Sequence, residues 1–359
     1  MKNLFKSLGK SISEAFSKNE YFIHWRKKYP NFFNFVEKRL SLANPYGFYF
    51  SIGIILSAVA FFYFFALTQD ILAKDPFVEA DIRFMNLVAA LRSVAAAKIL
   101  LLFTYLGNWQ FIISLGVITA IAMVLLKEKR KLIFLIIGVA GGELLYTVFK
   151  LLLHRTRPDI GFSLIPRNGY AFPSGHATMS LIFYGMIGYG FLKKFKKRWL
   201  KPPLVILAIV LIFLVGFSRI YLGAHWVSDV LAGWAFGAAF LILLITFFKQ
   251  QERFKPETKV KSILSKKSIL FVIVFLLIFE GISFHYFYTK HPLVESKHYQ
   301  LETVIVSPQS NFQAVISADN FPKFSETIVG EKMEPISFIV VGSGEQIVQI
   351  FQKSGLVDS

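Results

Sequence analysis

The sequence predicts an all-α integral membrane protein, and three observations carry that prediction. Of its 359 residues 55% are hydrophobic and 16% aromatic, and the mean hydropathy of +0.54 is too high for an ordinary soluble domain. The apolar residues gather into separate blocks, most of them near the roughly 20 residues that cross a bilayer as a helix. Basic residues lie between the blocks rather than on one soluble face, which sets aside nucleic acid as a partner despite a formal charge of +18.

Residues 1–45 form a polar, basic lead-in. Within Met1–Lys18, Phe5, Leu8, Ile12 and Phe16 recur at helical spacing with Lys2, Lys6 and Lys10 elsewhere on the helix. That pattern fits an interfacial helix on anionic lipid, and equally a poorly ordered basic tail. The first long apolar run begins only near residue 48, so no cleavable signal peptide is expected.

Seven crossings follow: Ser51–Thr68, Phe111–Leu126, Leu132–Leu153, Ala177–Leu192, Leu204–Phe217, Val227–Phe248 and Ile269–Tyr288. The fifth is the weakest by length. Asp81–Leu106 is apolar but carries Arg83, Arg92 and Lys98, and reads as one amphipathic helix on the outer surface, capping the bundle. Gly107-Asn108-Trp109 then breaks the pattern. Gly141-Gly142 permits close helix approach in the third crossing, and Pro173-Ser174-Gly175 opens the fourth, Pro fitting a first turn and Ser a cap. Beyond a basic linker and the seventh helix (251–290), residues 291–359 turn polar. Alternation in Glu302–Ser307 and a β-branched run at Ile336–Val341 suggest a small α/β or mixed extramembrane segment.

The basic residues fix an orientation. Met1–Asn44 holds nine Lys or Arg, Lys127–Lys131 four, Lys193–Lys201 six and Lys249–Lys267 seven. Cytoplasmic loops are enriched in these residues, so the N-terminus is expected inside and, after seven crossings, the C-terminus outside. The chain has no cysteine, which excludes disulfides and thiol chemistry.

Three stretches then carry the chemistry: Lys150–Pro158, Pro173–His176 and Ser218–Asp229. By the topology all lie at the outer face. Lys150 alone would be a lysine snorkelling to the headgroups. With His154, Arg155 and Arg157 it becomes a cationic field, in which guanidinium forks can hold phosphate oxygens. Ser174 and Gly175 at a helix start offer backbone amides to an anion, and His176 beside them can protonate a leaving oxygen. His225 and Asp229 are one helical turn apart, so the carboxylate can hold a proton on one ring nitrogen and leave the other free to attack phosphorus. Glu143 lies two turns before Lys150 on the same side of its helix. It is a candidate site residue, or a buried partner for Ser, Tyr or Arg on a neighbouring helix.

The order Lys-six-Arg-Pro, Pro-Ser-Gly-His, Ser-Arg-five-His-three-Asp resembles, without substitution, the tripartite signature of the type 2 phosphatidic acid phosphatase superfamily. The resemblance implies a six-helix phosphatase bundle over 46–250, with the seventh helix and the C-terminal segment as additions. It implies His225 as the nucleophile forming a phosphohistidine, Asp229 as its orienting partner and His176 as the general acid. Lys150, Arg157, Arg219, Ser174 and Gly175 would bind the phosphoryl oxygens, with His154 and Arg155 as secondary headgroup contacts. No cofactor and no metal are expected, since the cations take the metal's part. Residues Asn320–Gly355 are similar to the start of the C-terminal module of LssY-type bacterial membrane proteins, of which only part is expected here, and no activity is carried over from it.

The expected function is therefore hydrolysis of a lipid phosphate or diphosphate in the bacterial inner membrane, with an extracytoplasmic site. Undecaprenyl diphosphate, phosphatidylglycerol phosphate and phosphatidic acid are the substrates the resemblance implies. A phosphotransferase sharing the intermediate and a non-catalytic lipid-binding or transport module are the rivals. The partners expected are the lipid phosphate and the bilayer; the sequence names no protein partner.

Overall fold

The computed structural model describes residues 19–40, 45–73, 76–158, 163–166, 168–194, 197–254, 264–290, 293, 324–326 and 332–335. The expectations for Met1–Lys18, Glu302–Ser307 and Ile336–Val341, and most of the LssY-like stretch, lie outside them.

Two short helices, α1 (Glu20–Lys28) and α2 (Pro30–Leu40), precede the bundle. Then come α3 (Pro45–Ala73), α4 (Pro76–Ala90), α5 (Val94–Leu106), α6 (Trp109–Leu125), α7 (Lys129–Leu153), α8 (Gly175–Lys194), α9 (Lys201–Tyr221), α10 (Val227–Phe254) and α11 (Lys266–Lys290). Helices α3, α7, α9, α10 and α11 are each long and apolar enough to cross a membrane, and α5 with α6, bent by 47°, are so only when taken together, as a broken span or a re-entrant loop. The protein is a multi-pass helical membrane protein.

Helix α8, the expected fourth crossing, fails that apolarity test for a physical reason. It packs against α6, α7, α9 and α10, so its neighbours are protein rather than lipid, and Thr178 and Ser180 are fully buried. A helix enclosed on several sides can carry polar groups that a lipid-facing helix cannot. Close approach is written into its neighbours: a Cβ on Gly142 of α7 would come within 2.7 Å of Ile182, and one on Gly233 of α10 within 2.8 Å of the Ser174 carbonyl. Helix α10 therefore lies directly on the start of α8. The lipid-facing side is apolar instead, as at Leu144, Leu207 and Phe271.

The segment Asp81–Leu106 corrects the sequence expectation. It is not one surface helix: the chain breaks at Leu91–Ser93, and the Ser93 side chain accepts from the Ala96 N–H at 3.2 Å to start α5. Ala97, Leu101, Thr104 and Tyr105 of α5 are buried, and α5 packs on α9. The bent pair α5–α6 thus begins near Val94, ahead of the Phe111 expected for the second crossing, and carries exposed Lys98 one turn from its start. Within that segment α4 stays outside the candidate spans, resting on α9 and α10.

Strands β1 (Phe324–Glu326) and β2 (Lys332–Pro335) pair antiparallel, with Phe324 opposite Pro335. They fall within the segment expected to be mixed.

Candidate active site

Helix direction brings the three charged stretches to one end of the bundle. Helices α7 and α9 end there and α8 and α10 begin there, while the basic connections near residues 127–131, 193–201 and 249–254 sit at the opposite end.

The turn from α9 to α10 places the His225–Asp229 pair. Ala224 and His225 both donate backbone N–H to the Arg219 carbonyl, at 2.9 and 3.2 Å, and Gly223 takes a φ of 73° that favours glycine. His225 is thereby tied to the end of α9. Asp229, in the first turn of α10, accepts the Trp226 N–H on Oδ2 at 2.9 Å, a capping arrangement. The same oxygen lies 3.3 Å from His225 Nδ1. A carboxylate only accepts, so Nδ1 carries the proton and Nε2 keeps its lone pair. His225 is 1% exposed, and burial, then Arg157, Arg219, Lys150 and His176, push its pKa well below the usual 6.5. It rests as neutral imidazole.

Arg157 faces that lone pair, with Nη1 3.3 Å from His225 Nε2. The carbonyls of Gly169, Asn168 and Ala224 accept from its guanidinium at 2.8 to 2.9 Å and fix the plane. Arg219 is 6% exposed; its Nη1 donates to Thr104 Oγ1 at 3.0 Å, and Thr104 also meets Ser218 Oγ at 2.8 Å. Lys150 Nζ sits 5.7 Å from the Tyr146 ring centre. Arg219 Nε and Ser174 Oγ are buried without a hydrogen-bond partner among the described residues. Unmet buried donors are costly, and an anion in the cavity that Arg219 lines would satisfy its Nε; Ser174 does not line that cavity.

Lys150, Arg157, Gly175, His176, Arg219 and His225 line one cavity of about 330 Å³. Apolar side chains line it as well: Ile112 and Ile113 of α6, Val139 and Ala140 of α7, and Met179 of α8. A cavity lined by both cationic and apolar groups suits a phosphate carried on a hydrocarbon tail. Among the described residues no group of three or more His, Asp or Glu could hold a metal ion.

The secondary candidates separate. Glu143 lines the cavity and accepts from Tyr146 at 2.6 Å, a partner on its own helix rather than on a neighbouring one. His154 ends α7 at a φ of 46°, exposed and edge-on to Tyr170 at 4.4 Å, and does not line the cavity. Arg155 corrects the expectation of a headgroup contact. Its side chain is 8% exposed and bridges Asp229 at 2.5 Å and Asp81 of α4 at 2.8 Å. Asp81 also accepts from the Ser228 N–H at 3.0 Å and from its hydroxyl. Asp81, Thr104, Tyr146 and Ser228 therefore support the site without having been singled out from sequence. Asp81 and Thr104 lay in the segment misread as a surface helix.

Residues 131–253, which contain all three stretches, match the family model of the PAP2 superfamily. The chain is 29% identical over 205 residues to phosphatidylglycerophosphatase B of Bacillus subtilis, covering 55% of this chain and 98% of that protein. It is 31% identical over 126 residues to an undecaprenyl-diphosphatase of Sulfolobus acidocaldarius (34% of this chain, 57% of that one). A lipid A 1-phosphatase of Rhizobium johnstonii is 33% identical over 124 residues (32% and 47%). The chain thus spans nearly all of the first relative and about half of the other two. The crystal structure of a transmembrane PAP2 type phosphatidylglycerolphosphate phosphatase from Bacillus subtilis superposes with a TM-score of 0.51 at 28% identity, over 55% of this chain and 98% of that one. The motif, the bundle and the match over residues 131–253 support a member of the PAP2 superfamily, the type 2 phosphatidic acid phosphatases.

Proposed function

We propose that this chain releases inorganic phosphate from a lipid phosphomonoester or diphosphate through a phosphohistidine on His225. Membership of the superfamily, with phosphatases as relatives, makes it a lipid phosphatase; the intermediate, the substrate and the orientation are the proposal. The observation that carries it is the single cavity joining His225, His176 and three cationic side chains to an apolar pocket.

In the first step the Nε2 lone pair of His225 attacks phosphorus and the bond from phosphorus to the lipid oxygen, or to the bridging oxygen of a diphosphate, breaks. His176 gives its proton to the departing oxygen. Asp229 holds the Nδ1 proton as positive charge grows on the ring. Lys150, Arg157, Arg219, the Ser174 hydroxyl and the Gly175 amide receive the three non-bridging oxygens, whose charge is the main demand of phosphoryl transfer. In the second step His176 takes a proton from water, the oxygen attacks the phosphohistidine, and phosphate leaves with His225 restored.

The candidate substrates are undecaprenyl diphosphate, phosphatidylglycerol phosphate and phosphatidic acid. The site opens at the extracytoplasmic leaflet of the inner membrane, since the basic connections lie at the other end of the helices. The test is phosphate release from these three lipids by the purified protein in detergent with chelator present. Turnover of at least one is expected without added metal, and the acid limb of kcat/KM should fall below pH 6.5, because burial and the neighbouring cations keep His225 neutral into acid. No release from any of them, or product phosphate found only on a second lipid, contradicts hydrolysis.

A further inference from the structure

The second span is bent by 47° where α5 meets α6, and the apex of the bend touches the catalytic groups. Gly107 lines the cavity, and a Cβ there would stand 2.3 Å from Val215 Cγ1 and 3.1 Å from His176 Cδ2. One turn earlier, Thr104 accepts from Arg219 at 3.0 Å; just after the bend, Trp109 and Ile112 line the cavity wall. Any change of the bend angle moves the environment of His176 and the acceptor of Arg219 together. At the junction Asn108 starts α6 without a side-chain cap bond, and Tyr184 of α8 donates to the Leu106 carbonyl at 2.6 Å, so the bend is held from the α8 side.

Helix α11 lies across both arms. Phe287 and Tyr288 pack on Tyr105 of α5, with ring centres 5.1 and 6.0 Å apart. Phe284 touches Tyr105 at 6.2 Å and Phe111 of α6 at 5.6 Å. One turn further along α11, Glu280 accepts from Ser114 of α6 at 2.6 Å. Glu280 is 8% exposed and stands in an otherwise apolar stretch, Ile269–Ile282. A carboxyl inside a span is expensive unless it serves a purpose, and interhelical polar contacts are a means of fixing helix position in lipid. Helix α11 also lies outside the matched residues 131–253, so the feature is not part of the matched module.

We propose that α11 staples the bent span, and that Glu280, through Ser114, is a positioning residue for His176 and Arg219. The kinetic half of this rests on the phosphatase reading; the structural half does not. Glu280→Gln can still accept from Ser114, whereas Glu280→Leu cannot.

The test uses the full chain. It has no cysteine, so spin labels on Leu102→Cys in α5 and Val117→Cys in α6, both exposed, report the bend directly. Glu280→Leu should broaden or shift the label distance relative to the parent, and Glu280→Gln should not. Phosphate release should fall about tenfold or more in Glu280→Leu, chiefly in kcat, and stay within about threefold in Glu280→Gln, the order expected when catalytic groups lose alignment. An unchanged distance in Glu280→Leu overturns the staple whatever the activity. A changed distance with unchanged kcat overturns the positioning role. A parent that releases no phosphate overturns the phosphatase reading, and the distance then decides the staple by itself.

Discussion

His225→Ala is expected to lower phosphate release by at least about 10⁴-fold, with the protein still folded. The nucleophile has no substitute nearby. Among the described residues His176 is the only other histidine lining the cavity, and the mechanism already uses it as the proton carrier. The fold should survive, because Asp229 keeps Arg155 and the Trp226 N–H when the imidazole is removed. His176→Ala should cost less, about 10² to 10⁴, since general acid–base help is worth that range and the cations remain. Rates of the two variants on one lipid phosphate, with thermal melting in the same detergent, check both. A His225→Ala protein within about tenfold of the parent contradicts the assignment.

Arg155→Leu is expected to damage both stability and rate, although Arg155 does not line the cavity. Removing it leaves two buried carboxylates, Asp81 and Asp229, without their shared cation. Breaking a buried pair from one side costs on the order of 3–5 kcal/mol, a large part of the ~5–15 kcal/mol that holds a typical domain together. Asp229 would also lose the contact that fixes it under His225. The expected result is a marked drop in melting temperature together with loss of most turnover. Adding Asp81→Asn removes one of the stranded charges and should recover part of the stability. If Arg155→Leu melts and turns over like the parent, the triad does not hold the site.

The sequence made the helices readable because lipid imposes long apolar runs, and α3, α7, α9, α10 and α11 each contain one of the blocks seen in the sequence. It also made the polar lining of the cavity readable, since Lys150, Arg157, His176, Arg219 and His225 sit where topology and helix direction converge on one cavity. It failed where the partner is far along the chain. Arg155 looks like a headgroup contact at the end of a span, and only the fold brings Asp81, 74 residues away, to neutralise it. Thr104 looks like an ordinary helix residue until Arg219, 115 residues later, donates to it. The charges of Asp81–Leu106 suggested a surface helix, yet the cap at Ser93 starts a span whose buried face is apolar. Helix α8 shows the converse: its polar residues lower its hydropathy because it is enclosed by protein, not because it leaves the membrane.

Trapping the covalent intermediate tests the central claim most directly. The protein is mixed with lipid carrying a labelled terminal phosphate in the presence of chelator, quenched during turnover and mapped by mass spectrometry under conditions that preserve phosphohistidine. The phosphate should be found on His225, be absent in His225→Ala and accumulate in a His176 variant slowed at the water step. Phosphate release with no labelled protein at any time, or a label on another residue, would contradict it.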